Sequence, residues 1–315
     1  MARFRIVFPD FPWPSTAPEH DAFPGHDLIF HDGKNGPPPE GFFKGADAII
    51  AYHMMRHGEA SANAASEARV LVRAGTGLDN VDVDAFACRG IGVFNLPAYA
   101  AEEIGDHVFA LLLTVTRGLD RFRSVPMSEA IPMNDANAAP LPPLVGRLAG
   151  RRMLIVGMGA TGRAVLQRAT GFGLDCSWTG PRDKTDVNAP YIESLPNAVA
   201  DADIISLHCP YVPNSAPIIS SELLDGVKQD AILINTARGQ LIDEAAVAKA
   251  IQSGKLGAYA ADVVWPEPIS DSSPLASLPS DRCVLTPHIA WAGPQAFASL
   301  RLDPIHIALK KLQTT

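Results

Sequence analysis

Short apolar runs separated by turn-forming residues fill the first hundred positions: FRIVF, DLIF, ADAIIAY, ARVLVRAG and GVFNLP. Their β-branched and aromatic content, bounded by Gly, Pro and Asp, predicts strands. Helix-compatible stretches such as VDVDAFACRG lie between several of them. Strands alternating with helices predict an α/β fold with a parallel sheet and right-handed crossovers. The segment GKNGPPPEG predicts a surface loop.

A long helix is expected from Ala101 to Arg121, with acidic residues in its first turn and an apolar repeat along it. Residues 124–146 are rich in proline and too long for an ordinary connection, which predicts a lid, an arm or disorder. A second α/β run follows. RRMLIVG, LDCSWTG, ADIISLHCP, AILINTA, AYAADVV and CVLTPHI are its strand candidates, and TGRAVLQRATG is its first helix. The tail SLRLDPIHIALKKLQ predicts helix on both sides of Pro304.

Composition narrows the function classes. A chain of 315 residues is long enough for two domains, and 47% apolar with 19% charged residues is ordinary for a globular protein. A net charge of −8 offers no electrostatic footprint for nucleic acid or an anionic membrane. MARFRIVFPDFPWP reads as a first strand, not a signal peptide, and no run approaches a membrane span of about 20 apolar residues. Cys88, Cys176, Cys209 and Cys283 form no CxxC pair, so buried reduced thiols in a cytoplasmic protein are expected, with no metal site.

Gly157-Met158-Gly159-Ala160-Thr161-Gly162 follows an apolar strand and opens a helix. The first glycine permits the turn, the second lets backbone approach a pyrophosphate, and the third packs helix on strand. The pyrophosphate then meets free N–H groups at the helix start. The next strand ends in Trp178-Thr179-Gly180-Pro181-Arg182, with no acid before Asp183. Absence of a carboxylate for a ribose 2′-hydroxyl, with Arg182 and Lys184 nearby, favours NADP(H) over NAD(H).

Three polar residues come next, each beside a strand-like run: Arg238 after ILINTA, Glu267 in WPEP and His288 in TPHI. A guanidinium holds a carboxylate in a fork and polarises a ketone oxygen. An imidazole moves protons in both directions near neutrality, and a carboxylate beside it favours its protonated form. Together with a dinucleotide site, this set can move a hydride.

RAGTGLDNVDVDAFACRGIGVFNLPAYAAEEIGDHVFALLL, the glycine turn, NTARGQLIDEAAVAKAI and TPHIAW resemble the D-2-hydroxyacid dehydrogenase family, over about residues 46–293. The resemblance implies two doubly wound parallel-sheet domains. A Rossmann cofactor domain (100–289) would be inserted into a flavodoxin-like substrate domain (1–99 plus 290–315), and the protein would be a homodimer. It implies that Thr76 and Gly77 amides hold the substrate carboxylate, and that Asp262, Thr236 and Ala237 lie at the nicotinamide ring. His208, Pro210 and Ser215 would flank the adenosine and phosphates, although LHCPYVPNS departs from the family's threonine-rich form. Tyr52 and His53, in Tyr52-His53-Met54-Met55, stand where phosphate-recognising members carry a basic residue, and Trp291 would wall the pocket. The expected substrate is a small D-2-hydroxyacid or 2-ketoacid such as glyoxylate or hydroxypyruvate. RAGTGLDNVD is similar to 3-phosphoglycerate dehydrogenases, so an NAD enzyme of that type is the alternative. A cofactor-sensing corepressor shares the Arg-Glu-His set, whereas a formate dehydrogenase has glutamine where Glu267 stands.

Overall fold

The protein is described here by a computed structural model covering residues 2–123, 144–181 and 186–314. It divides into two compact units, residues 1–100 with 292–315, and residues 101–291. In chain order the first unit holds β1 (Arg5–Phe11), α1 (Ala17–Ala22), β2 (Asp27–Asp32), β3 (Ala48–Ala51), α2 (Glu59–Ala64), β4 (Val70–Arg73), α3 (Val83–Ala87) and β5 (Gly92–Asn95). The second holds α4 (Ala101–Arg117), α5 (Leu119–Arg123), β6 (Arg152–Val156), α6 (Ala160–Gly171), β7 (Asp175–Thr179), α7 (Leu195–Ala200), β8 (Ile204–Leu207), α8 (Ser221–Gly226), β9 (Ala231–Asn235), α9 (Glu244–Gln252), β10 (Leu256–Ala261) and β11 (Cys283–Leu285). Helix α10 (Pro294–Leu312) returns to the first unit.

All strand pairs are parallel, as the alternating pattern predicts. The first sheet runs β2-β1-β3-β4-β5, a doubly wound order whose direction reverses between β1 and β3. The second runs β11-β10-β9-β8-β6-β7 and reverses between β6 and β8. A single bridge between Trp178 and Tyr191 stands beside β7 where a third Rossmann strand would lie. Both faces of the second sheet are covered. Leu154, Ile205 and Leu233 face one core and Met153, Ile155 and Ile232 the other. Strands buried on both sides are therefore continuously apolar. Val7, Ile49, Leu71 and Phe86 belong to the first unit's core.

Several expectations change. The long helix breaks at Gly118, where φ is +62°, a conformation glycine adopts without steric cost. The proline-rich run falls mostly outside the described residues, which resume at Leu144. Cys88 is exposed, not buried, although no cysteine forms a disulfide. Helix α10 is continuous through Pro304. Proline has no N–H to give the carbonyl four residues back, and that carbonyl, of Leu300, accepts the Tyr52 hydroxyl at 3.4 Å.

That last contact involves Tyr52, expected from the sequence to be a substrate residue. Its ring is fully buried, edge-on to Phe11 and Trp13, and its hydroxyl serves the C-terminal helix. Its backbone N–H, with those of Met54 and Met55, donates to the buried carboxylate of Asp10 at 2.8, 3.0 and 3.3 Å. The His57 ring, also fully buried, lies 3.4 Å from the same carboxylate.

Candidate active site

The glycine turn occupies the C-terminal end of β6, at the reversal point of the second sheet, where doubly wound folds bind ligands. Gly157 has φ +98°, and a Cβ there would come within 2.7 Å of the His208 and Cys209 backbone just after β8. A Cβ on Gly162 would collide with the Gly157 carbonyl. Around Gly159, by contrast, nothing lies within 4 Å of a Cβ position. Gly159 is the N-cap of α6 and supplies no side-chain acceptor to the helix amides. The turn is thus closed on the protein side and open at its second glycine, with Ala160 exposed and Thr161 part-buried at the helix start.

Strand β7 ends beside it. The Gly157 amide donates to the buried Thr179 carbonyl at 2.9 Å, Gly180 has φ +147°, and the Tyr191 hydroxyl donates to the Gly180 carbonyl at 2.9 Å. Neither Thr179, Gly180 nor the exposed Pro181 carries a carboxylate. Arg182, Asp183 and Lys184 lie outside the described residues. His208 turns inward: its Nε2 is 2.8 Å from Ser206 Oγ, and burial pushes its pKa down from near 6.5 to about 3. Its ring is therefore neutral. Pro210 and Ser215 are exposed in the following loop, where the Ser215 amide donates to the Val212 carbonyl at 3.0 Å.

Arg238 follows β9. Asn235, fully buried at the strand's last position, accepts the Ala237 amide at 3.0 Å and donates to the Arg238 carbonyl at 2.8 Å, so one amide side chain shapes the turn. Arg238 Nη1 donates to the Ala237 carbonyl at 2.7 Å. A Cβ on Gly239 would collide with the Val264 carbonyl. Only glycine lets this turn lie against the one bearing Glu267. The Thr236 hydroxyl is buried without a hydrogen-bond partner among the described residues.

His288 stands after β11 with φ +54°, a left-handed conformation that costs a β-carbon residue about 1–3 kcal/mol. Its surroundings hold it there. The amides of His288, Ile289 and Ala290 all donate to Asp262, the first to its carbonyl at 2.9 Å and the others to its carboxylate at 2.9 and 2.7 Å. Trp291 Nε1 donates to the His288 carbonyl at 2.8 Å. Asp262 was expected at the nicotinamide ring; its carboxylate, 1% exposed, holds the His288 turn and Thr286. The Trp291 N–H is likewise committed to that turn.

His288 Nδ1 lies 2.7 Å from Glu267 Oε2. Partial burial alone would raise the Glu267 pKa, but the hydrogen bond and charge of His288, the Val264 amide and the charge of Arg238 hold it below its usual value. The carboxylate is ionised near neutrality. Glu244, at the start of α9, secures the same loop by accepting the Trp265 amide at 3.3 Å and the Ser273 hydroxyl at 2.9 Å. Arg238, Glu267, His288 and the glycine turn are all parts of the second unit.

In the first unit, Thr76 is exposed and Gly77 part-buried in the loop after β4. Asn95 Nδ2 donates to the Thr76 carbonyl at 2.7 Å, and Thr76 Oγ1 donates to the Leu96 carbonyl at 3.2 Å. Asn80 Nδ2 ties this loop to the one after β3 by donating to the Tyr52 and Met55 carbonyls at 2.6 and 2.9 Å. His53 is exposed on that second loop. Asn80, Asn95, Gly239, Glu244 and Thr286 escape sequence reasoning because their partners are set by the fold; only the glycine beside Arg238 leaves a local signal.

Comparison with known proteins decides the family. Residues 109–290 match the family model for the D-isomer specific 2-hydroxyacid dehydrogenase NAD binding domain. The chain belongs to this family. It is 32% identical to a glycerate dehydrogenase of Methylorubrum extorquens over 74% of this chain and 72% of that protein. It is 34% identical to a D-3-phosphoglycerate dehydrogenase of Mycobacterium tuberculosis over 74% of this chain but only 43% of that longer protein. The structure of a D-lactate dehydrogenase from Aquifex aeolicus, complexed with NAD and lactic acid, superposes with a TM-score of 0.83 at 23% identity, covering 98% of this chain and 96% of that one. As a D-2-hydroxyacid dehydrogenase family member, the protein is an oxidoreductase of 2-hydroxyacid and 2-ketoacid pairs with a nicotinamide cofactor. The residues fit that cofactor: the turn is open only at Gly159, the α6 start is uncapped, and β7 ends beside it.

Proposed function

We propose that this chain is a D-specific 2-ketoacid reductase that prefers NADP(H) to NAD(H) and acts on small keto acids such as glyoxylate or hydroxypyruvate. The contact that carries the reading is the His288–Glu267 pair at 2.7 Å, with the Arg238 charge acting on Glu267 in the same unit as the glycine turn. Residues 100–289 then serve as the cofactor domain, and 1–99 with 290–315 as the substrate domain, in a cytoplasmic homodimer.

Gly157, Gly159 and Gly162 shape the turn, and the Ala160 and Thr161 amides receive the pyrophosphate. Thr179, Gly180 and Pro181 pass the adenosine ribose without a carboxylate to repel a 2′-phosphate, and Arg182 is its counter-charge. His208, Pro210 and Ser215 border the adenosine side; Thr236 and Ala237 border the ring. A bound nicotinamide supplies the hydride in reduction and takes it in oxidation. Arg238 grips the substrate carboxylate and polarises the ketone oxygen. In the first unit, Thr76 and Gly77 are the candidate substrate-binding residues. His288, oriented through Nδ1, gives the proton on Nε2 to the ketone oxygen in reduction and accepts one from the hydroxyl in oxidation.

The glycerate dehydrogenase relative supports hydroxypyruvate, whose reduced form is glycerate. The phosphoglycerate dehydrogenase relatives support the second reading, an NAD enzyme acting on a phosphorylated substrate. Initial rates with glyoxylate, hydroxypyruvate, pyruvate, phenylpyruvate and phosphohydroxypyruvate, each with NADPH and NADH, separate them. The largest kcat/KM is expected for an unphosphorylated acid with NADPH. Preference for phosphohydroxypyruvate with NADH overturns the first reading, and absence of turnover with every pair overturns both.

A further inference from the structure

We infer that His107 and Thr286 are positioning residues for His288, acting through Asp262. The inference rests on the reading of His288 as the proton carrier and adds residues to which that reading gives no role.

The relevant contacts all lie in the second unit. Asp262 is 1% exposed and receives the amides of three consecutive residues, His288, Ile289 and Ala290. This accounts for a non-glycine residue at φ +54°. Thr286 Oγ1 lies 2.5 Å from Asp262 Oδ1, and His107 Nε2 lies 2.9 Å from Thr286 Oγ1. Both carboxylate oxygens of Asp262 accept amides, and a hydroxyl has one hydrogen to give. Thr286 therefore donates to Asp262 and accepts from His107, which fixes the His107 tautomer with its proton on Nε2. The chain runs in one direction, from the His107 N–H through the Thr286 O–H to the Asp262 carboxylate. Each donor polarises the next, so the bond at Asp262 is strongest when His107 is present.

The helix supplies the other end of the restraint. His107 belongs to α4, which packs against β10, β11 and α6. A second close approach, 3.6 Å from His107 Nε2 to Asp262 Oδ1, places the imidazole over the carboxylate as well as the hydroxyl. The buried carboxylate thus has an imidazole from α4 close by, a hydroxyl donor from the segment after β11, and two amide donors from the His288 turn. Loss of the first frees Thr286 Oγ1 to rotate and removes one restraint on the carboxylate. The turn then relaxes toward ordinary backbone angles, carrying the His288 ring with it.

Four variants test this: His107→Phe, which keeps a ring but has no donor; His107→Gln, which keeps an N–H; Thr286→Val; and Thr286→Ser. His107→Phe and Thr286→Val are each expected to lower kcat about tenfold, with NADPH Kd by fluorescence titration within twofold of wild type. His107→Gln and Thr286→Ser should recover most of that loss. The double variant His107→Phe/Thr286→Val should be no worse than either single one, since both break one chain. A readout independent of turnover is the ring spectrum of His288 in nitrogen-15 histidine-labelled protein, assigned with His288→Ala. It should shift in His107→Phe. The inference is overturned if kcat and the His288 spectrum are both unchanged, if the two losses multiply, or if the loss follows melting temperature without recovery in His107→Gln. An inactive wild type whose His288 spectrum still responds to His107→Phe overturns the proposed reaction and leaves the positioning role supported.

Discussion

Glu267 Oε2 engages His288 through Nδ1, at 2.7 Å, which leaves Nε2 as the ring nitrogen outside that pair. An imidazole held at one nitrogen and left at the other has a fixed tautomer and a defined direction of proton transfer. The carboxylate stays ionised well into acid, since His288, the Val264 amide and Arg238 together outweigh its partial burial.

Replacing His288 by Ala should lower kcat by at least about a hundredfold, the lower range for loss of a general acid–base group. NADPH binding by fluorescence titration should survive, because the glycine turn is built from other segments. Turnover within a few-fold of wild type would remove His288 from the reaction.

Glu267→Gln removes the charge of the carboxylate that holds His288 at Nδ1. With the ring less firmly oriented, kcat should fall about tenfold while cofactor binding is retained. The native pair has the sign of any depressed carboxylate: it is intact above the ordinary Glu range and lost as pH falls through the folded value. Steady-state kinetics check the loss, and a wild-type kcat in Glu267→Gln would contradict it.

The cofactor argument is best tested at Pro181, not at Gly180. A side chain at Gly180 would inherit φ +147° and strain the end of β7, whereas proline's φ near −65° suits any L-residue. Pro181→Asp places a carboxylate on an exposed position beside the β7 end. The ratio of kcat/KM for NADPH over NADH should fall about tenfold or more, since one close charge contact with phosphate is worth roughly 1.4 kcal/mol or above. An unchanged ratio would count against 2′-phosphate recognition there.

Much of this was legible in the sequence, for physical reasons that also mark the limits. Fully buried parallel strands show as continuous apolar runs, so FRIVF and AILINTA declare β1 and β9 directly. The glycine turn is readable because only glycine fits at Gly157 and Gly162. Tyr52 was not readable: whether a tyrosine after a strand faces a ligand or the core depended on Pro304, 252 positions along, which freed the Leu300 carbonyl. His107 and Thr286 are separated by 179 positions, and Asp262 gives no local sign that its carboxylate points at a turn.

Gly239→Ala should couple stability to catalysis. The added methyl meets the Val264 carbonyl, backbone that cannot rotate away, so overpacking of about 1–3 kcal/mol is expected. Because the displaced turns carry Arg238 and Glu267, kcat/KM should fall further than the fraction unfolded explains. Thermal unfolding together with steady-state kinetics on the folded fraction decides it; full activity per folded molecule would show that the two turns move independently.

Acid should weaken the second unit through His208. Above pH 6.5 its ring is neutral in both folded and unfolded chains; between about 3 and 6.5 only the unfolded chain takes the proton, so stability declines as pH falls. The slope from one such group is at most about 1.4 kcal/mol per pH unit. His208→Gln should flatten the urea midpoint over that interval, and an identical pH dependence would show that the ring is not the source.

The bonds that fix His288 in its left-handed turn all come from the protein itself. Asp262 and Trp291 set the backbone and Glu267 sets the ring, none of them requiring a guest. The imidazole is consequently aimed by the fold itself. Its orientation should be the same in the empty protein as in the cofactor-loaded one.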